Sequence, residues 1–139
     1  MEKASFMRTD NELIQELQDA TAGLLMMSES DYPFEVASIE GEAKLTPEYL
    51  RRLAGKSEDE PVEKRELDDF FRNSVFEPDW KNEAQIATAR QFQKVVALFK
   101  KEFSDTGVYR IGNIDIAVFI LGRSSRGNWL GLSTRVIET

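Results

Sequence analysis

The chain has 139 residues, a formal net charge of −7, and neither cysteine nor histidine. This length predicts one domain over residues 1–139, and 41% hydrophobic content predicts a globular one. The two missing residue types exclude disulfides, thiolate nucleophiles, cysteine-bound zinc, Ser–His–Asp catalysis and the commonest metal ligand.

Charge is unevenly distributed. Residues 1–50 hold 11 acidic and 3 basic side chains, net −8, whereas residues 84–139 hold 4 acidic and 8 basic ones, net +4. An acidic surface repels phosphates, so nucleic acid is not the expected partner. It attracts a basic protein surface and also keeps a domain soluble. Residues 1–6 contain no long apolar run, and Leu24 to Met27 is far shorter than a membrane span. No membrane association is expected, and a cytoplasmic location is.

The first helix is predicted to start at Thr9, where Thr9 and Glu12 fit a capping box. Leu13, Leu17, Ala20 and Leu24 recur at helical spacing, so the helix should run on to between Gly23 and Met27. Ser28 to Pro33 reads as a polar turn, and Phe34 to Glu40 as a strand ending at Gly41. Thr46 before Pro47 predicts a second helix, reaching Ala54. Residues 56–65 are charged, contain Pro61 and read as a mobile loop. A short helix is expected over Glu66 to Asn73, and a Pro-led turn over Glu77 to Trp80. The longest helix is expected over Asn82 to Phe103, on the stripe Ala89, Phe92, Val96, Phe99 and Phe103.

The last third reads as strands. Val108–Ile111 and Ile114–Leu121 are predicted to form a hairpin through the two residues Gly112 and Asn113. Apolar residues on both faces of the second strand mark it as central. Trp129 to Ile137 is the final strand. The order α-β-α-α-α-β-β-β, with a doubly buried strand, implies an α/β fold: a three-layer α/β/α sandwich with a mainly antiparallel sheet. The first strand must reach that sheet from a distance.

Few residues point to chemistry of their own. No glycine pattern precedes a helix, so no phosphate-cradling loop or cofactor motif is supported. Glu58 to Glu60 and the Asp68–Asp69 pair read as solvated charge. Arg123 and Arg126 are weak evidence for an anion site. Ser28 to Phe34 and Glu77 to Trp80 stand out a little more, although helix exits and capped turns explain both.

The run from Gly23-Leu24-Leu25 through Ser28-Glu29-Ser30-Asp31-Tyr32-Pro33-Phe34-Glu35-Val36 closely resembles the nuclease A inhibitor family. So do Asp79-Trp80, Val108 to Gly112, and the ending Leu130 to Thr139. The similarity runs in order along nearly the whole chain and is weakest between Gly41 and Arg65. It implies a non-enzymatic bacterial protein that inhibits sugar-nonspecific DNA/RNA endonucleases one-to-one. Those nucleases have a ββα-metal site with one hydrated Mg²⁺. It also implies a fold of the pathogenesis-related-protein-1-like type. Carried over residue by residue, the resemblance makes Glu29 the loop carboxylate that enters the cleft and coordinates the nuclease's Mg²⁺. Thr139, Asp79 and Trp80 become partner-binding residues. A carboxylate is a hard oxygen donor that suits Mg²⁺ and stands where a scissile phosphate oxygen would. Two rivals remain: a metal hydrolase using Glu66, Asp68 and Asp69, and an adaptor that keeps the fold but binds another protein.

Overall fold

The first helix begins where two side chains satisfy its free amides. Thr9 accepts from the Glu12 amide at 3.1 Å, and Glu12 accepts from the Thr9 amide at 2.8 Å, closing a capping box. In a computed structural model describing residues 9–39, 44–77, 79 and 82–139, this helix, α1, spans Asp10–Thr21. It stops earlier than its apolar stripe suggests, because Gly23 turns the chain at φ 73°. Gln91 Nε2 donates to the carbonyls of Ala20 and Ala22 at that end.

Two short strands follow, β1 (Leu25–Met26) and β2 (Tyr32–Pro33), paired antiparallel. Next come β3 (Glu35–Ile39) and α2 (Pro47–Ala54), the latter capped by Thr46 and ended by Gly55 at φ 69°. The charged stretch expected to be a loop contains a strand, β4 (Val62–Arg65). It is an edge strand with exposed Glu63 and Lys64, so its pattern imitates a solvated loop. Then come α3 (Leu67–Val75), α4 (Glu83–Glu102), β5 (Ser104–Ile111), β6 (Asp115–Arg123) and β7 (Trp129–Ile137).

The main sheet is open and antiparallel, in the order β3-β7-β6-β5-β4. The central place of β6 and the distant recruitment of β3, beside β7, both match expectation. The hairpin is wider than predicted. Ile111 pairs with Ala117, not with Ile114, and the backbone between them is tied elsewhere: the Ile114 carbonyl accepts from the Glu138 amide and the Asp115 carbonyl from Lys56 Nζ. Gly112, at φ 125°, instead donates its amide to the Pro61 carbonyl.

Two apolar clusters result from the alternation of side chains along the strands. Val108, Val118, Ile120 and Leu132 pack with Leu13 and Leu17 of α1, Phe71 of α3, and Phe92 and Phe99 of α4. Tyr109, Ile111, Phe119 and Leu121 pack with Leu50 of α2. Phe71, Phe99, Leu17 and Val118 are fully buried, as is appropriate for the middle of a core. This is a mixed α/β architecture with four helices among the described residues.

Candidate functional site

The connection between β1 and β2 is fastened to the end of β7 by its own polar atoms. Ser28 Oγ donates to the Ser30 carbonyl at 2.7 Å and accepts from the Ile137 amide at 3.1 Å. The Glu29 amide donates to the Ile137 carbonyl at 3.3 Å. One step back, Thr134 Oγ1 donates to the Pro33 carbonyl at 2.9 Å. Phe34 sets its ring edge-on to Phe92, 6.0 Å between centroids. Serines that read as an ordinary turn thus join segments more than a hundred residues apart.

Glu29 is exposed at the tip of this arrangement, and Thr139 holds its carboxylate. The Thr139 amide donates to Oε2 at 2.6 Å, and Thr139 Oγ1 donates to Oε1 at 2.7 Å and Oε2 at 2.9 Å. The amide contact, then the hydroxyl, holds the Glu29 carboxyl below the usual carboxylate range. Both donors are neutral, and Glu29 forms no ion pair among the described residues. The carboxylate is therefore ionised and ordered without a compensating cation.

Beside it lies a cleft of about 360 Å³ lined by Glu29, Met27, Arg65, Phe70, Arg110 and Glu138. Met26, Met27 and Phe70 also wall a neighbouring groove of about 460 Å³, which continues to Thr88 and Phe92 of α4. Met27 is 70% exposed and forms the ridge between them.

The expected site residues are only partly assembled. Glu29 and Thr139 meet directly. Asp79 is exposed in the turn between α3 and α4, with no hydrogen bond or ion pair to Glu29 among the described residues. Trp80 lies outside the described residues, as does Pro78. Sequence reasoning passed over Arg110 and Glu138. Arg110 Nη2 donates to Glu138 Oε1 at 2.9 Å from a side chain only 8% exposed. The available signal was an arginine inside an otherwise apolar strand, which needs a partner.

A family model described as Nuclease A inhibitor-like protein matches residues 11–139. The chain belongs to the nuclease A inhibitor-like family. No curated protein matches it. The family match covers β1 through Thr139, and so includes both partners of the Glu29 contact. Membership of an inhibitor-like family points to a binding protein with a nuclease as its partner. Two of the three carboxylates Glu66, Asp68 and Asp69 are paired with cations. Asp69 pairs with Arg72 at 2.7 Å and Asp68 with Lys100 at 2.8 Å. Among the described residues, no group of three or more carboxylates is placed to hold a metal ion. Nor is any described helix of this family member long and apolar enough to cross a membrane.

Proposed function

We propose that this protein inhibits a Mg²⁺-dependent, sugar-nonspecific endonuclease of the ββα-metal class, binding it one-to-one with Glu29 in the active-site cleft. The observation that carries this reading is the state of Glu29: exposed, ionised and, among the described residues, held by the neutral donors of Thr139 with no cation. A carboxylate already bound to a guanidinium has its charge compensated. One bound to an amide and a hydroxyl retains it, with lone pairs left for a hard cation. The nuclease supplies the metal, and Glu29 takes the place of a phosphate oxygen without offering a bond to cleave.

Thr139 supports the plug by fixing it before docking, which lowers the ordering cost of association. Met27 and the adjoining groove offer apolar contact area next to a charged tip, an arrangement suited to an interface centre. Asp79 and Trp80 are assigned to the same interface through the family's Asp-Trp pair. The protein acts in the cytoplasm and needs no cofactor of its own. The two apolar clusters support a three-layer α/β/α sandwich of the pathogenesis-related-protein-1-like type, with β6 in its middle layer.

Titration of such a nuclease with the purified protein is expected to abolish cleavage at one equivalent. Glu29→Ala should weaken inhibition by roughly 100-fold, the loss of a central anchor. An unchanged inhibition constant would remove Glu29 from this role.

A further inference from the structure

Arg110 is a buried cation next to the last residue of β5, a position that costs stability unless its charge is answered. It stands opposite Glu63 on β4 and Val118 on β6. Its Nε lies 3.6 Å from Glu63 Oε1 and makes no hydrogen bond. Glu63 is itself drawn toward Arg65, 3.3 Å away. The well-formed hydrogen bond of Arg110 goes to Glu138.

Glu138 is thereby fixed twice. Its carboxylate is held by Arg110, and its amide donates to the Ile114 carbonyl at 2.9 Å. The next residue is Thr139, whose amide and hydroxyl hold Glu29. We propose that Arg110 is a positioning residue for the Glu29 plug, acting through Glu138 and Thr139. This rests on the reading of Glu29 given above.

A second consequence follows from charge. Glu29 and Glu138 line the same cleft. Arg110 compensates Glu138, which leaves Glu29 as the carboxylate whose partners are neutral. Of the two acidic side chains that line the cleft, Glu29 is thus the one left available to an arriving cation. Arginine suits this task because its planar fork directs Nη2 at one carboxylate and Nε toward another.

The test has one arm without nuclease and one with it. In the free protein, the Thr139 amide proton should resonate downfield because it donates to a carboxylate at 2.6 Å. Arg110→Gln and Glu138→Ala should each move it upfield and lower its heteronuclear NOE. Glu138→Gln, which keeps an acceptor for Arg110, should retain both signatures. In the inhibition assay, Arg110→Gln and Glu138→Ala should each cost roughly ten-fold, as for groups that orient a metal ligand. The double variant should be no worse than either single one. Glu138 is exposed, so its substitution remains informative even if Arg110→Gln does not fold. An unmoved Thr139 amide in folded Arg110→Gln or Glu138→Ala overturns the proposal. If the amide responds but no nuclease is inhibited by the parent protein, the positioning role stands and the inhibitor reading falls.

Discussion

Glu29 and Asp115 are both held below the ordinary carboxylate range, by different chemistry. Asp115 hydrogen-bonds the Arg135 guanidinium, which also lies over the Tyr32 ring at 4.8 Å, and Lys56 adds to its field. Glu29 is held by Thr139, with no cation. Asp115 is thus a structural anchor, whereas the Glu29 charge is answered by no cation among the described residues. A lowered carboxyl pKa contributes stability above the unfolded-state value and loses it as pH falls through the folded-state value. For Asp115 that loss lies below about pH 4, the ordinary carboxyl value. Arg135→Ala should therefore raise the Asp115 titration midpoint and cost only a small part of the stability at pH 7, since the pair is half exposed and screened by solvent. The cost should shrink in acid to what the Tyr32 stacking contributes; NMR titration and urea denaturation at pH 7 and pH 2.5 check this. The family resemblance singles out Glu29 and Thr139, and the structure brings the two into contact. That contact was not legible in the sequence, because no periodicity links residues 110 positions apart. Arg110 stood inside the stretch Val108 to Gly112, but its meaning depends on Glu138, just past the end of β7, a strand not adjacent to its own.

Among the elements, legibility followed the strength of the local signal. The starts of α1 and α2 were marked by side chains that cap them, Thr9 with Glu12 and Thr46 before Pro47, and α4 by its apolar stripe; its cap, Asn82 with Gln85, emerged only in the structure. The strands β1 and β2 have two residues each, too few for alternation to register. β4 hid among charges because its outer edge faces solvent. The hairpin is wider than its Gly-Asn signal because Gly112 and Ile114 commit their backbone groups to distant partners, Pro61 and Glu138, which no local turn signal records. β7 carries a second constraint. A Cβ on Gly131 would sit 1.8 Å from the Ile120 carbonyl oxygen on β6, a backbone atom that cannot yield cheaply. Gly131→Ala should destabilise the domain by roughly 3 kcal/mol, by overpacking within the sheet. Since β7 leads directly into Thr139, the variant should also lose inhibition at temperatures where it remains folded. Chemical denaturation gives the first quantity, and an unchanged midpoint would show that the sheet opens at no cost.

Charge is divided along the chain: residues 1–50 are net −8 and residues 84–139 net +4. The acidic part contains Glu29 and the strands that carry it, so its field favours approach of a basic, DNA-binding cleft. The association rate with the nuclease should fall at least several-fold between 20 and 500 mM salt, while the dissociation rate changes little. A flat association rate in stopped-flow measurements would remove steering from the account. The missing histidine and cysteine take on meaning at this scale too. A protein whose partner owns the metal and the general base needs carboxylates, a rigid sheet to hold them, and a surface to dock. The central claim is that the Glu29 carboxylate reaches the partner's metal. The most direct measurement is a crystal structure of the one-to-one complex with Mg²⁺ present. The account predicts a Glu29 carboxylate oxygen in the metal's coordination sphere, at about 2.1 Å. A Mg²⁺ carrying only nuclease ligands and water, with Glu29 turned away from the cleft, would contradict it.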